Sequence, residues 1–174
     1  MRQLVLAAAA LVAVAAWGAG TAQAGKVEIK GVHVCCKNCA AAINGVLAKV
    51  DGVNDVVAKA KEPVTFTTKD DKTTTAALTA LSDAGFLGAA TDDGKEVKIE
   101  LTSPKKGDKA DEITITNTHV CCGMCQKAIK AALADATSVE FPDKSTVKVT
   151  GKDLDKAAVL DALRKIGYNG KIDK

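Results

Sequence analysis

The residues of this chain that could do chemistry are gathered in two short segments. The chain contains 6 cysteines and 2 histidines, and all of them belong to two copies of a His-Val-Cys-Cys-x-x-Cys motif. The copies run from His33 to Cys39 and from His119 to Cys125. Thiolate and imidazole are ligands that soft and borderline metal ions prefer. The clustering therefore predicts that these segments bind a heavy-metal ion.

The outer cysteines of each motif are the predicted metal-binding pairs, Cys36 with Cys39 and Cys122 with Cys125. We expect a helix to begin at each motif, because a helix N-terminus supplies free amide groups and a partial positive charge. Both favour thiolate over thiol, and thiolate is the form that binds metal.

Disulfide bonds are the ordinary explanation of an even cysteine count in a secreted chain. A bond between Cys36 and Cys39 would close a very short loop and would add little stability. One between the adjacent Cys35 and Cys36 would be strained. Thiol–disulfide exchange is a further alternative, with Cys36 and Cys39 cycling and Cys35 acting as an auxiliary thiol.

Each motif also offers candidate auxiliary ligands, which are Cys35, Cys121, His33 and His119. The alternatives are a buried small side chain for the cysteines and a surface residue for the histidines. Two or three thiolates suit Cu(I), our first choice, and also Hg(II), whereas three cysteines with one histidine would complete a tetrahedral Zn(II) site. We expect one ion in each loop. The sequence leaves open whether the two sites act independently or clamp one ion.

The two motifs belong to an internal duplication. The motifs are 86 residues apart (119 − 33), and a later Gly85 matches Gly167 at an offset of 82 (167 − 85). Hydrophobic periodicity predicts the order β-α-β-β-α-β in each copy. This is the ferredoxin-like, split βαβ order, so the predicted fold class is α+β, with two ferredoxin-like domains in tandem.

The periodicity also gives approximate bounds for these elements. The first copy has predicted strands near 27–29, 53–57, 63–68 and from residue 86, and helices after Cys39 and over 73–84, the latter with threonines available as caps. The second has predicted strands over 112–116, 138–141, 146–150 and 168–172, and helices over 125–136 and 154–166.

The first strand of each copy changes its buried face partway. Apolar residues are at odd positions in Val27 and Ile29 but at an even position in Val34, which a regular strand cannot bury together. Gly31 and its counterpart Asn117 lie at the break, and both residue types tolerate positive φ. We predict a β-bulge there, with simple fraying of the strand end as the alternative.

The N-terminus has the features of a secretory signal peptide. A basic residue precedes an uncharged apolar stretch that ends at Ala22-Gln23-Ala24, so residues 1–24 form the predicted signal and the mature protein starts near Gly25. The apolar stretch is shorter than the roughly 20 residues that a membrane span needs. The predicted domains are 25–91 and 112–174, joined by a polar linker over 92–111. We expect a secreted, periplasmic protein with no membrane insertion after cleavage.

The charge of the chain excludes one class of partner. The 24 basic and 21 acidic residues give a formal net charge of only +3, and the two signs are interleaved along the sequence. Nucleic-acid binding depends on dense basic patches. We therefore expect no nucleic-acid partner.

Each copy resembles a heavy-metal-associated domain, the module of copper chaperones, metal-pumping P-type ATPases and the periplasmic mercuric-ion-binding protein. The Cys-x-x-Cys pairs fit the family motif Gly-Met-x-Cys-x-x-Cys, and Ala84-Gly85-Phe86 and Ile166-Gly167-Tyr168 fit its late turn. The chain departs from that motif in having valine in place of its methionine, and in its extra histidine and cysteine. In the family the late turn packs close to the metal loop. We therefore expect Phe86 and Tyr168 to shield the site, with plain core packing as the alternative.

The resemblance implies a non-catalytic carrier, buffer or scavenger of metal ions. Its partners would be the ion itself and a membrane metal transporter or another metal-binding domain. The sequence has no further histidine to serve as a base and no glycine-rich phosphate loop, so we do not expect an enzyme. The alternatives are a thiol–disulfide redox protein or sensor, and an interaction domain that has only kept the scaffold.

Overall fold

The structure is a computed structural model that describes residues 25–172. The predicted signal peptide, residues 1–24, lies outside the described residues. Within the described range, the helices are too short and too polar to cross a lipid bilayer.

The described residues form two similar units, each with two helices and an antiparallel sheet. The elements of the first unit are β1 (Gly25–Lys30), α1 (Lys37–Leu47), β2 (Val53–Val57), β3 (Val64–Thr68), α2 (Asp71–Asp83), β4 (Ala89–Asp92) and β5 (Lys95–Val97). Those of the second unit are β6 (Lys109–Thr116), α3 (Gly123–Ala132), β7 (Ser138–Glu140), β8 (Val147–Asp155), α4 (Lys156–Lys165) and β9 (Lys171–Ile172).

The two sheets have matching strand orders, β2-β3-β1-β4-β5 and β7-β8-β6-β9, and their strand pairs are antiparallel. The first strand of each unit lies between that unit's third and fourth strands. The motif loop that follows it therefore leaves from the middle of the sheet. The predicted α+β class and the order β-α-β-β-α-β are confirmed in both units. Assignment to the ferredoxin-like class stays an interpretation of that order.

Aliphatic residues of each unit pack between its sheet and its helices, and the two sets belong to one buried core. In the first unit Ile43, Leu47 and Leu81 of the helices are buried, and in the second Ile129 and Leu163 take the matching places. Full burial of one such side chain contributes about 1.5–3 kcal/mol. The helical spacing of these residues therefore fixes which face of each helix turns to the sheet, and with it the direction from which the helix leaves the motif loop.

Helix starts differ from the sequence prediction at two places. The cap of α2 is Asp70, whose carboxylate accepts the N–H of Thr73 at 2.7 Å, so the expected threonine cap is wrong. The helix predicted over 154–166 begins only at Lys156, because β8 continues to Asp155 and that residue caps α4 through the N–H of Ala158. An N-cap residue has an extended backbone. The short side chain of aspartate can then accept a hydrogen bond from a free N–H of the first helical turn.

The predicted bulge is replaced by a strand end. Gly31 and Asn117 have positive φ, +74° and +55°, as their residue types suggested. However, β1 and β6 stop one residue earlier, at Lys30 and Thr116, and pairing does not resume beyond them. The expected consequence still holds, because the change of direction buries Val34 and Val120. These two valines anchor the motif loops in their own units.

The segment between the units is shorter than the predicted linker over 92–111. β5 extends the first sheet to Val97 and β6 begins at Lys109, which leaves 98–108 without helix or strand. The guanidinium of Arg164 donates to Thr102 O at 2.7 Å and to Ser103 Oγ at 2.6 Å. The connecting segment is therefore fastened to α4 of the second unit.

Candidate metal centre

Each motif loop places its first outer cysteine at the start of a helix. Cys36 is the N-cap residue of α1 and Cys122 is that of α3, both with extended backbone. The second outer cysteine lies one turn later, and Cys39 and Cys125 are both fully buried. The strand-to-helix turn expected from the sequence thus brings two sulfurs of each loop to one side, with Cys36 Sγ and Cys39 Sγ 3.8 Å apart.

The two units meet at their late turns. Phe86 and Tyr168 form an antiparallel β-bridge, and Asn169 N–H donates to Gly85 O at 3.0 Å. Asn169 is buried and also donates through Nδ2 to Ser82 Oγ at 2.8 Å. The strand predicted to begin at Phe86 is therefore wrong, because this residue pairs with the other unit and β4 starts only at Ala89.

Each late turn lies on the motif loop of the opposite unit. His33 N–H donates to Gly167 O at 3.3 Å. A Cβ atom on Gly167 would collide with Gly31 O, and one on Gly85 would collide with His119 N. Both glycines also have positive φ, +88° for Gly85 and +85° for Gly167, which other residues adopt only at a cost. The backbone of one unit therefore approaches the other as closely as glycine permits.

This crossed contact brings the six cysteine sulfurs into one cluster. Across the units, Cys39 Sγ is 3.5 Å from Cys121 Sγ, and Cys36 Sγ is 3.6 Å from the same atom. Cys35 Sγ is 3.7 Å from both Cys122 Sγ and Cys125 Sγ. These separations are as short as those within a loop, which are 3.6–3.8 Å, so the two motifs form one group of sulfurs.

The sulfurs are arranged in triangles whose members lie within 4.8 Å of one another. Four such triangles are Cys35/Cys39/Cys125, Cys35/Cys36/Cys122, Cys36/Cys39/Cys121 and Cys121/Cys122/Cys125. Three of the four contain sulfurs of both loops. The cysteine groups that could hold an ion therefore belong to the pair of units as a whole.

The two histidines lie beside the cluster in unequal positions. A ring nitrogen of His33 is within 4.8 Å of the sulfurs of Cys35, Cys39 and Cys125, which makes a group of three cysteines and one histidine. His119 belongs to none of these groups, and its ring packs on Phe86 at 4.6 Å. The ring of His33 packs on Tyr168 at 4.2 Å.

Three polar atoms near the cluster are buried without a hydrogen-bond partner among the described residues. They are His33 Nε2, His119 Nε2 and Tyr168 OH. Buried polar groups nearly always have a partner, and an orphan calls for an explanation such as an ion or ligand. His33 and Tyr168 lie beside the Cys125 sulfur, where a bound cation and its thiolates would give them neighbours.

The surroundings push the thiols toward different protonation states. The amides at the start of α1, that of Cys39 foremost, lower the pKa of Cys36 to about 6. Burial among other sulfurs raises the pKa of Cys35 and of Cys121 far above the usual range for a thiol. Six thiolates packed this closely would repel one another, so full ionisation of the cluster requires cations between the sulfurs.

The polar groups near Cys125 oppose the effect of burial on the pKa of its thiol. Burial acts to raise the pKa of this thiol, but the neighbouring His33 and Tyr168 favour the thiolate and bring the pKa down to about 4. Cys39, at the matching position of the other loop, has a raised pKa because of its burial. The two buried cysteines are therefore electrostatically different.

All six cysteines are free thiols. The S···S separations of 3.5–3.8 Å are far longer than the roughly 2.05 Å of a disulfide bond. The arrangement can do two kinds of chemistry: it can coordinate thiophilic cations, or its thiols can be oxidised in pairs.

Every site residue that the sequence singled out lies in or beside this cluster. Metal ligation by Cys36, Cys39, Cys122 and Cys125, and by the auxiliary candidates, stays a prediction. Phe86 and Tyr168 do cover the motif loops, but each covers the loop of the opposite unit. Sequence reasoning missed this crossing, and with it Asn169. The glycine at the same place in both copies, Gly85 and Gly167, signals a close backbone approach without saying to which loop.

Comparison with protein-family models, with curated proteins and with solved structures returns no match to this chain.

Proposed function

We propose that this protein binds Cu(I) through its cysteine sulfurs and serves outside the cytoplasm as a carrier, buffer or scavenger of the ion. One observation supports this most strongly: six free thiols from two distant segments lie within 3.5–3.8 Å of their neighbours. Cys39 and Cys125 are part of the buried core, but the other four thiols are only partly buried against it. Softness and low coordination number make Cu(I) the first choice and Hg(II) a further candidate.

The remaining parts of the proposal come from the sequence. The resemblance to heavy-metal-associated domains, two ferredoxin-like units in tandem, favours a binding protein over an enzyme. The predicted signal peptide favours secretion to the periplasm, where a membrane metal transporter or another metal-binding domain would exchange the ion. In its simplest form the proposal has one ion in each loop, and its test does not depend on that number.

Binding can be tested on the chain from Gly25 to Lys174, which contains every described residue. The protein is reduced, kept anaerobic and offered Cu(I), Zn(II) or Hg(II) against a chromophoric competitor, with native mass spectrometry for stoichiometry. We expect tight, stoichiometric Cu(I) binding that Cys36→Ser with Cys122→Ser weakens severely. Weak, non-stoichiometric binding of all three ions, or a double variant that binds as well as the parent, would refute the proposal. Met124→Leu is a suitable control, because Met124 is a soft, 53% exposed side chain next to the site.

Zn(II) is a competing cargo that one observation favours. His33 with Cys35, Cys39 and Cys125 supplies three sulfurs and one nitrogen, the donor set of many tetrahedral zinc sites. The group differs from the one considered in the sequence, since its fourth member comes from the opposite loop. Zinc as the cargo predicts that one Zn(II) binds per chain, that Cu(I) does not displace it and that His33→Ala abolishes binding.

A thiol–disulfide redox function is the alternative in a different class. The lowered pKa of Cys36, about 6, favours it, because thiolate is the attacking form in exchange. This function requires turnover of a disulfide substrate and a reduction potential in the range of known exchange proteins. Reduced protein that leaves a disulfide substrate intact over many hours would exclude it.

A further inference from the structure

We propose that the two loops form one four-copper centre, in which each of the six cysteine sulfurs bridges two Cu(I) ions. This inference rests on the proposed function and replaces one ion per loop by a single shared cluster. The supporting observations are how the sulfurs are connected, how far apart they are and how their charges balance.

The connectivity of the four sulfur triangles is that of a closed cluster. Each of the six cysteines belongs to two of the triangles, and any two triangles share one sulfur. One ion in each triangle would therefore have three sulfur ligands, and each sulfur would bind two ions. Four ions with three bonds and six sulfurs with two bonds both give twelve bonds, so no thiolate is left over and no ion lacks a ligand.

The sulfurs also occupy the corners of an octahedron. Four triangles with three edges each make twelve close pairs among the fifteen pairs that six sulfurs allow. The three remaining pairs are Cys35 with Cys121, Cys36 with Cys125, and Cys39 with Cys122. Each sulfur occurs in one of these pairs, as opposite corners of an octahedron require. All eight faces of this octahedron have their edges among the twelve close pairs, and the four triangles are one set of alternate faces. Occupying alternate faces keeps four cations farthest apart.

The size of the triangles fits thiolate coordination. The edges of the Cys36/Cys39/Cys121 triangle are 3.8, 3.6 and 3.5 Å long. An ion at its centre would lie about 2.1 Å from each sulfur (the mean edge divided by √3), close to the about 2.3 Å of metal–thiolate bonds. Three ligands in a plane suit Cu(I), whereas Zn(II) takes four in a tetrahedron.

Formation of the cluster balances without an oxidant or reductant. Four Cu(I) ions and six thiols give a cluster of six thiolates with a net charge of −2, and six protons leave to solvent. The buried amide and ring groups around the sulfurs then face an anion. His33 has a ring nitrogen within 4.8 Å of three of the sulfurs, and Tyr168 packs on its ring at 4.2 Å.

The test is the number of coppers per chain. Reduced protein, residues 25–174, is titrated with Cu(I) without oxygen and examined by native mass spectrometry. We expect a monomer with four coppers, formed with little accumulation of one- to three-copper forms. A monomer that saturates at two coppers would overturn the shared cluster and leave the proposed function intact. Four coppers found only on a dimer would overturn its formation within one chain, and no copper at all would remove both proposals.

Cysteine variants separate the two arrangements further. Cys121 lies outside both Cys-x-x-Cys pairs, so separate sites predict that Cys121→Ser has the same copper number as the parent. The cluster predicts a fall from four to two or fewer, because this sulfur belongs to two triangles. Cys35→Ser, at the opposite corner, should behave alike and provides a second chance if the first variant does not fold. Asn38→Ala is the matched control, since it alters an exposed residue within the same motif and should retain four coppers.

Discussion

The two motif loops carry identical ligands in identical order, yet they have different neighbours. The loop from His33 to Cys39 lies against Tyr168, and the loop from His119 to Cys125 lies against Phe86. The two rings come from equivalent turns of opposite units and differ by one hydroxyl. His33 approaches three sulfurs of the cluster, whereas His119 approaches no such group. Duplication thus supplied matching ligands, and the crossed packing of the units made their environments unequal.

The largest predicted effect is that of substitutions that would push the two units apart. Gly85→Ala and Gly167→Ala should each destabilise the protein by about 2–5 kcal/mol, because left-handed strain adds to an enforced backbone shift. Equivalent roles for the two turns predict similar losses, measured by denaturant unfolding.

Gly107→Ala is the control for that experiment. Gly107 has a φ of +82° and open space at its Cβ position, so this variant isolates the backbone strain. A cost for Gly85→Ala or Gly167→Ala no larger than that of Gly107→Ala would contradict the crossed contact.

Removal of a buried sulfur from either loop should damage the same site. Cys39→Ser and Cys125→Ser are each expected to lower Cu(I) affinity by more than about 100-fold, since loss of a group that only hydrogen-bonds to a metal ligand already costs about 10–100-fold. Competition titration of both variants measures this. A loss in only one of them would contradict a site that is built from both loops.

The residues of the site and the elements that carry them could largely be predicted from the sequence. The contact between the two units that brings both loops together could not. The periodicity of residues such as Ile43 and Leu47 located the helices, and the break at Gly31 and Asn117 correctly implied positive φ and a buried valine beyond it. These features are local. The pairing of Phe86 with Tyr168 is not local. A glycine followed by an aromatic residue can pack on the motif loop of its own unit or on that of the other unit, and the sequence does not distinguish the two.

The predicted start of α4 was wrong for a similar reason. Leu154 fits the apolar pattern of α4 but belongs to β8, where it pairs with Ala110 in the sheet. The first aspartate able to cap, Asp155, decides where the helix starts. Hydrophobic spacing does not contain that information, since cap and strand compete for the same backbone groups.

The histidines provide the next comparison. His33→Ala should lower Cu(I) affinity by about 10–100-fold, as expected for a ligand or for a group that hydrogen-bonds to a ligand. His119→Ala should have a smaller effect, because its ring lies on Phe86 outside the sulfur triangles. Equal effects in a competition titration would show that the histidines are equivalent despite their different surroundings.

The smallest predicted effect is that of removing the Tyr168 hydroxyl. Tyr168→Phe should raise the pKa of Cys125 above its value of about 4, because a group that favours the thiolate is lost. The first step of thiolate absorbance would then move to higher pH. Stability should change by about 1 kcal/mol or less, which is the net contribution of a single hydrogen bond.

A matched control for that variant is Thr118→Val. Thr118 also has a buried hydroxyl without a partner, and its removal should leave the absorbance step where it is. A shift in both variants would assign the effect to general loosening of the fold.

The most direct test of one shared site is X-ray absorption at the copper edge of the fully loaded monomer. A shared cluster predicts three sulfur neighbours for each copper and a clear copper–copper scattering path. Two sulfur neighbours with no copper nearby would show that each loop binds its ion alone, and would contradict the joining of the two motifs into one centre.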